Sequence, residues 1–586
     1  MQPDDGRNVS VRLQRDAALK AVRSNGEFDV IVLGGGINGI GVFRELSLQN
    51  LRVLLVERRD FCSGCSSAPS RMIHGGLRYL ENGEFGLVRE SLRERDALLR
   101  NAPHMVRPLP TTIPIRKVFS GMLNGVAGFL GLSSRPSSRG ALPIKIGLML
   151  YDWNTRHRRL LPRHKFRGAR ETLARWPKLN PHLRFSATYF DAWISYPERL
   201  CIELLLDTAR MAPRSVALNY AEIKRSGDGF LLADRTNGET MEVRARAIVN
   251  ATGAWLDEAR ASLANGKPPQ ERFVAGTKGS HLIIDNAELR EALGGHMIFF
   301  ENEDGRVCIL FPYLGKVLAG ATDIRVDTPD RVRCEPEERE YILGAIREVF
   351  PDIRVREEEI VFSFSGIRPL PKSDHEFTGR IPRSHYIRRE DGPVPQFCMI
   401  GGKWTTFRAF AEQATDAVLA ELGQPRIRGT LDLQIGGGAN FPSSQEELER
   451  RLVEEHGIST RRAAWLAGAY GAWAEEVLSF CRGRDDDRPL SEGTEISEAE
   501  IAWLARSEMA VELEDMLLRR TPLAIRGELS LAIVHRVAEV MAAQLGWSES
   551  RRQEEIDRFL YNLETYHGVS RETLERRSLQ GSLQCE

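Results

Sequence analysis

The sequence predicts an α/β fold in three parts: a discontinuous domain with a mainly parallel sheet, an inserted and mostly antiparallel β region, and a C-terminal helical domain. Three observations carry this. A complete strand–helix–strand unit occupies residues 28–56, and short strand-like runs follow one another through the middle of the chain. From about Ala439 the composition turns to Glu, Arg, Leu and Ala. The chain has 586 residues, 42% hydrophobic and 28% charged, which suits a globular protein of several domains.

Phe28 to Leu33 (FDVIVL) is a continuous run rich in β-branched residues, as in a strand buried on both faces. Three glycines follow. Ile37 to Gln49 then has helical periodicity through Ile40, Phe43 and Leu46, and Arg52 to Val56 is a second buried strand ending at Glu57. Phe61 to Arg78 reads as a Ser/Gly-rich loop, Asn82 to Asn101 as a helix, and Leu109 to Arg139 as an irregular stretch punctuated by Pro and Gly. Arg199 to Arg210 reads as an amphipathic helix. Strands are predicted at Ser215–Tyr220, Phe230–Ala233, Glu242–Arg244 and Ala247–Asn250, and further at His281–Ile284, Met297–Phe300, Val307–Phe311 and Val317–Ala319. Helices are expected to run to about Tyr566, with the last twenty residues frayed.

Lys+Arg and Asp+Glu balance at 81 each, which does not point to a bulk nucleic-acid binder and leaves room only for local basic patches. Arg far outnumbers Lys, as genomic base composition alone produces. Eight cysteines in so long a chain form no disulfide framework and fit a reducing, cytoplasmic setting. Cys62 and Cys65 have C-x-x-C spacing, but they lack a second pair for zinc and a thioredoxin-like context, so no metal site is expected. The N-terminus has no apolar core of a secretory signal, and no run reaches the roughly 20 apolar residues of a membrane span. Val118 to Leu132, preceded by Arg116-Lys117, is the nearest approach. It reads as a core segment or loop, with a membrane-surface patch as the alternative.

Gly34-x-Gly36-x-x-Gly39 lies between the first strand and its helix, the position at which the pattern binds a dinucleotide. Gly34 permits the turn, Gly36 the approach of a pyrophosphate to the helix N-terminus, and Gly39 close helix–strand packing. Glu57, eighteen residues further on, is placed to accept from ribose hydroxyls and to repel a 2′-phosphate. The fingerprint does not by itself separate NAD from FAD. Asn250-Ala251-Thr252-Gly253-Ala254-Trp255 adds the second glycine-bearing strand end of a two-part FAD site, although A-T-G is a common turn.

His74-Gly75-Gly76-Leu77-Arg78-Tyr79-Leu80, within MIHGGLRYLE, resembles the flavin-loop signature of FAD-dependent glycerol-3-phosphate dehydrogenases. Lys278-Gly279-Ser280-His281, Ser365 to Leu370 (SGIRPL), Gly401 to Thr406 (GGKWTT) and Arg519-Arg520-Thr521 resemble further segments of that family in the same order. The resemblance spans Phe28 to Thr521. It departs from the family pattern at Ile194–Leu200 after Trp193, at Pro69 and Arg71 in the flavin loop, at Gly320-Ala321-Thr322-Asp323, in the N-terminal tail, and in a longer Ser120–Arg139. It implies a Rossmann-like FAD-binding domain with non-covalent FAD, its ring near residues 74–79 and 401–406. It also implies a homodimer, peripheral on the cytoplasmic membrane face, that oxidises sn-glycerol 3-phosphate and delivers electrons to quinone. On this reading residues 1–27 are a tail; 28–115, 195–275 and 360–425 bind FAD; 116–194 and 276–359 form the substrate or cap region; and 430–570 form the helical domain.

Oxidising a secondary alcohol at a flavin requires C2–H aimed at the ring, an acceptor for the hydroxyl proton, and positive charge for the phosphate. Arg78 and Arg368 are the candidate phosphate clamps, since a guanidinium binds two oxygens at once. Lys403 is a candidate partner of the flavin or the hydroxyl. His281 is preferred over His74 as base, with an ordinary pKa near 6.5, and Tyr79 is a candidate orienting group. The expected cofactor set is Gly34, Gly36, Ile37, Asn38, Gly39, Glu57, Ser66, Ser67, His74, Gly75, Gly76, Leu77, Ala251, Gly253, Gly402, Lys403 and Thr405. An oxidase passing electrons to O₂, an amine or amino-acid oxidase with a carboxylate clamp, a flavin-binding sensor without turnover, and an NAD-dependent dehydrogenase are the competing functions.

Overall fold

The computed structural model describes residues 13–76, 84–116, 161–264, 271–302, 304–373 and 384–583. The Val118–Leu132 run, Leu77, Arg78 and Tyr79 lie outside them.

The first sheet positions the cofactor site. Its strands run in the order Tyr386–Glu390, Gln396–Ile400, Thr240–Asn250, Glu27–Leu33, Val53–Val56, Val216–Leu218, parallel except for the first. Side chains alternate across it. Val30 and Val32 pack with Ile40, Leu204 and Phe407 under the helices Ile37–Ser47, Pro197–Met211 and Phe407–Leu422. Ile31 and Leu33 face the other way, toward Leu19 and Val22.

Those last two residues correct the expectation of a tail at 1–27. Arg15–Ser24 is a helix covering the back of the sheet, and Glu27 already belongs to the first strand. Arg15 anchors the helix through a two-pronged bond to Asp234 at 2.7 and 2.9 Å. The strand predictions at 242–244 and 247–250 merge into one strand, Thr240–Asn250. Its first half pairs with the hairpin strand Gly229–Asp234 and its second with Glu27–Leu33.

The helix Pro197–Met211 is buried all round from Pro197 to Thr208, not amphipathic. Its charges are satisfied internally: Asp207 accepts from Arg44 at 2.8 Å, and Glu203 meets His104 at 3.0 Å.

The second sheet has ten strands, mostly antiparallel. It includes two long strands that the sequence hid, Val106–Ile115 and Ile360–Pro371, although 106–115 and 360–371 were expected in the FAD-binding part. Val106–Ile115 read as irregular because of Pro108, Pro110 and Pro114. All three share one parity, so they remove N–H donors from one edge only, and the strand pairs continuously with Phe185–Ile194 on its other edge. Leu282 and Ile284 face the helix Pro336–Val349, whereas Ile283, Phe311 and Phe364 face the C-terminal helices.

Several of the C-terminal helices begin at serines whose side chains accept from the third amide of the helix: Ser444, Ser459, Ser497, Ser530 and Ser548. The expectation that the last twenty residues fray is corrected over the described part of that stretch. Arg571–Leu583 is helical and buries Leu574.

Candidate active site

The glycine motif folds as its chemistry requires. Gly34 has φ +99°, and a Cβ there would lie 2.7 Å from the Ala251 carbonyl. A Cβ on Gly39 would collide with the Gly34 carbonyl. Gly36 precedes the first turn of the helix Ile37–Ser47, and a Cβ there would reach 3.1 Å from Ser66 Oγ, which itself accepts from the Ile37 amide at 2.9 Å.

Glu57 ends the second strand. Its carboxylate accepts from the amides of Gly35 at 2.6 Å and Arg59 at 2.9 Å, and burial raises its pKa. Two acceptor oxygens have further lone pairs for ribose hydroxyls. The Asn250 side chain shapes the opposite wall, accepting from the Thr252 hydroxyl at 2.7 Å and donating to the Leu256 carbonyl at 3.1 Å. Arg58 lies over the Trp255 ring at 4.9 Å.

A third segment closes the cleft. Gly401 and Gly402 have φ of +80° and +104°, and Trp404 donates to the Ser66 carbonyl at 3.0 Å. The His74 amide donates to Thr405 Oγ1 at 3.2 Å, and the Gly75 amide to Asp191 at 2.8 Å. The flavin-loop residues His74 to Gly76 therefore abut the 401–406 turn, although they are 331 residues apart at the His74–Thr405 bond.

Gly34, Gly36, Ile37, Asn38, Glu57, Ser66, Ala251, Gly253, Gly402 and Lys403 together line one cavity of about 310 Å³. The cavity runs from the helix N-terminus to the second glycine turn, and side chains at 34, 36 or 402 would fill or distort it, so the residues present fit an extended dinucleotide. Of the expected cofactor residues, Gly39, Ser67, His74, Gly75, Gly76 and Thr405 are not in the lining of this cavity; the Ser67 hydroxyl donates to the Gly64 carbonyl at 2.9 Å, and Ser67 faces an adjoining cavity of about 520 Å³. Among the described residues no cluster could hold a metal ion. Cys62 and Cys65 are free thiols with pKa values raised by burial.

Arg368 and His281 lie beside this cleft on neighbouring strands. Ile367 and Pro369 line the cofactor cavity, while Arg368 between them donates to Asp323 at 3.0 Å and to the Thr322 carbonyl at 3.3 Å. Its guanidinium crosses over Gly279, where a Cβ would collide with it. His281 stacks on Phe364 with ring centroids 4.9 Å apart, and its Nε2 bonds Ser70 Oγ at 2.9 Å.

The expectation of an ordinary imidazole pKa is corrected. Burial first, then Arg368 and Arg71, pull His281 down to about 3, so the ring is neutral at pH 7. Two groups beside Lys403 escaped the sequence reading. His385 packs on Phe410 at 4.2 Å, with its pKa lowered to about 4 by burial and by Lys403; Glu90 lies 3.6 Å from it. Neither carries a local pattern, and only tertiary folding brings them to the turn.

Comparison with known proteins agrees with this geometry. Residues 29–408 match the family model for FAD dependent oxidoreductase, and residues 428–552 that for the C-terminal domain of alpha-glycerophosphate oxidase. The chain is 34% identical over 559 residues to a glycerol-3-phosphate dehydrogenase of Synechocystis sp., covering 91% of this chain and 96% of that one. It is 31% identical to a D-erythritol 1-phosphate dehydrogenase of Brucella abortus, covering 84% and 94% respectively. The structure of a glycerol-3-phosphate dehydrogenase from Bacillus halodurans complexed with FAD superposes with a TM-score of 0.72 at 23% identity, over 94% of this chain and 97% of that one. With a glycine-lined dinucleotide cleft, a matching C-terminal domain and a relative alike along nearly its whole length, the chain belongs to the FAD-dependent oxidoreductases and, within them, to the glycerol-3-phosphate dehydrogenase family.

Proposed function

We propose that this enzyme oxidises sn-glycerol 3-phosphate to dihydroxyacetone phosphate. The observation that carries the reading is the adjacency of Arg368 and a neutral His281 beside the cofactor cavity, one suited to a phosphate dianion and the other to an alcohol proton. The names of the Synechocystis and Bacillus halodurans relatives support it. FAD would be held by the cavity that Gly34, Gly36, Glu57 and Lys403 line and would supply a two-electron acceptor for the C2–H of the substrate. Arg368 exchanges Asp323 for phosphate oxygens, a planar fork meeting two acceptors. His281 takes the hydroxyl proton at Nδ1, a buried ring nitrogen with no hydrogen-bond partner, while Nε2 stays with Ser70. Phosphate charge against Arg368 offsets one of the cations that depress the imidazole, so substrate binding raises the proton affinity of its own base. Lys403 supplies positive charge along the cofactor cavity wall. In this scheme Arg78 is the second clamp and Tyr79 orients the substrate.

The two electrons then pass to a quinone, from a homodimer resting on the cytoplasmic face of the membrane. Among the described residues no helix is long and apolar enough to cross a membrane. Anaerobic titration with glycerol 3-phosphate tests the core of the proposal. Stoichiometric bleaching of the visible flavin band supports it, and an unchanged spectrum refutes it. D-erythritol 1-phosphate in a parallel titration separates the two polyol phosphates named by the relatives. Quinone reduction without oxygen, set against peroxide yield in air, separates a dehydrogenase from an oxidase. Vesicle co-sedimentation and sedimentation velocity test the membrane and dimer assignments.

A further inference from the structure

The loop after the second strand, residues 57–67, forms much of the cofactor cavity, with Glu57, Arg58, Ser63, Cys65 and Ser66 in its lining. Its one fully buried carboxylate, Asp60, does not face that cavity. It accepts from Arg519 Nε at 2.6 Å and from Arg520 Nη1 and Nη2 at 2.8 and 2.9 Å, with Asn219 Nδ2 at 3.2 Å as a further donor. Both arginines come from a single π-helical turn, Met516–Arg520, of the C-terminal domain. The wider turn lets two successive side chains reach one carboxylate, and such turns are frequent at functional positions.

The arginines are themselves held. Arg519 also donates to Asp515 at 2.6 Å, and Asp515 accepts from the Tyr220 hydroxyl at 2.8 Å. Arg520 donates to the Glu508 carbonyl at 3.0 Å, and Glu508 pairs with Arg199. The network closes on the cofactor loop, because the Tyr220 amide donates to the Arg59 carbonyl at 3.0 Å and the Ala221 amide to the Glu57 carbonyl at 2.9 Å. Buried ion pairs contribute little net stability compared with apolar packing, but removing one partner leaves the other charge buried and uncompensated, so the pair holds its two elements together.

We propose that the C-terminal domain positions the cofactor. Arg519 and Arg520, acting through Asp60, hold the 57–67 loop in the form that grips the adenosine side of FAD, so the helical domain sets how long FAD stays bound. These are positioning residues, acting through Asp60: with Asp60 they line the adjoining cavity of about 520 Å³ and not the cofactor cavity.

The test follows FAD release from the intact holoenzyme on dilution, read as recovery of free-flavin fluorescence, with the visible circular dichroism of the bound flavin and the melting temperature as companions. Arg519→Met is expected to speed release about tenfold or more, as truncating one partner of a buried charge pair does. It should also alter the flavin dichroism, and Arg519→Lys should restore much of both. Arg462→Met breaks the Arg462–Asp487 pair inside the helical domain, 2.6 Å apart and remote from the loop, and serves as the control. It should lower the melting temperature without changing release. If release is unchanged in Arg519→Met, or merely tracks melting temperature in both variants, the proposal is overturned. Should Arg519→Met not fold, Tyr220→Phe carries the same decision, since it loosens Asp515 without unbalancing a charge. Faster release supports the proposal and unchanged release overturns it.

Discussion

Gly402 and Asn38 are in contact across the cofactor cleft: a Cβ at position 402 would lie 2.5 Å from Asn38 Nδ2. The first residues of the dinucleotide helix and the second glycine turn are therefore one surface. Gly402 also has φ +104°, a conformation that side chains rarely adopt. Gly402→Ala is expected to combine backbone strain with displacement of Asn38, costing about 1–3 kcal/mol at this position. Purified protein should carry substoichiometric flavin, measured as the ratio of visible to ultraviolet absorbance.

Gly36→Val tests the pyrophosphate end of the same cleft. The β carbon would press on Ser66 Oγ, which holds the Ile37 amide, and the branches would occupy the approach to the helix N-terminus. Flavin should be lost while the fold persists, with far-ultraviolet circular dichroism retained. A full flavin complement in this variant would refute the assignment.

Arg368→Ala separates substrate binding from cofactor binding. Only its neighbours Ile367 and Pro369 line the cofactor cavity, so FAD should stay. A lost charge-assisted pair is worth about 1.5–3 kcal/mol, which predicts a rise in KM of roughly ten- to a hundredfold. Unchanged affinity for glycerol 3-phosphate, by titration of the holoenzyme, would remove Arg368 from the clamp.

His281 carries a pH prediction. Its pKa falls to about 3 in the folded protein, so the free enzyme holds it neutral throughout the neutral range. The profile of kcat/KM, which reports the free enzyme, should show no acidic limb near 6.5 from this residue. The limb in kcat should move upward relative to that in kcat/KM, because bound phosphate offsets Arg368. A kcat/KM inflection near 6.5 that disappears in His281→Gln would contradict the buried, cation-flanked environment.

The βαβ unit was legible because it is local: a β-branched run, glycines at fixed offsets and an acid at the next strand end all lie within thirty residues. The second sheet was less legible. Val106–Ile115 carries three prolines whose common parity matters only once its partner strands are known, and Ile360–Pro371 was recognised by family resemblance without being read as a strand. The site divides the same way. Gly34, Gly36 and Glu57 announce their roles by spacing, and Arg368, Lys403 and His281 emerged through segments resembling a family. His385, Glu90 and Asp323 are single residues whose meaning comes from neighbours far away in sequence. The depressed pKa of His281 was invisible because it arises from Phe364, Arg71 and Arg368 enclosing one ring. The Arg15–Ser24 helix was missed because its amphipathic face has meaning only against the back of the first sheet.

Glu500 supplies a stability prediction within the helical domain. Its fully buried carboxyl accepts from the Tyr470 hydroxyl at 2.6 Å and from Trp465 Nε1 at 3.0 Å, yet burial outweighs these donors and raises its pKa to about 7. The folded protein thus binds this proton more tightly than the unfolded chain, whose carboxyl titrates near 4.5. Stability from this group is fully present below the unfolded value and is lost as pH rises through about 7. The loss is of the order of 3 kcal/mol at most, from the shift between the two values. Glu500→Gln keeps an oxygen for Tyr470 and cannot ionise. It should flatten the dependence of melting temperature on pH between about 5 and 8 and raise the melting temperature at the alkaline end. If the wild-type melting temperature instead shows no fall over that interval that the substitution removes, the carboxyl is already ionised in the fold and its environment is more polar than the packing of Trp465, Tyr470 and Trp503 indicates.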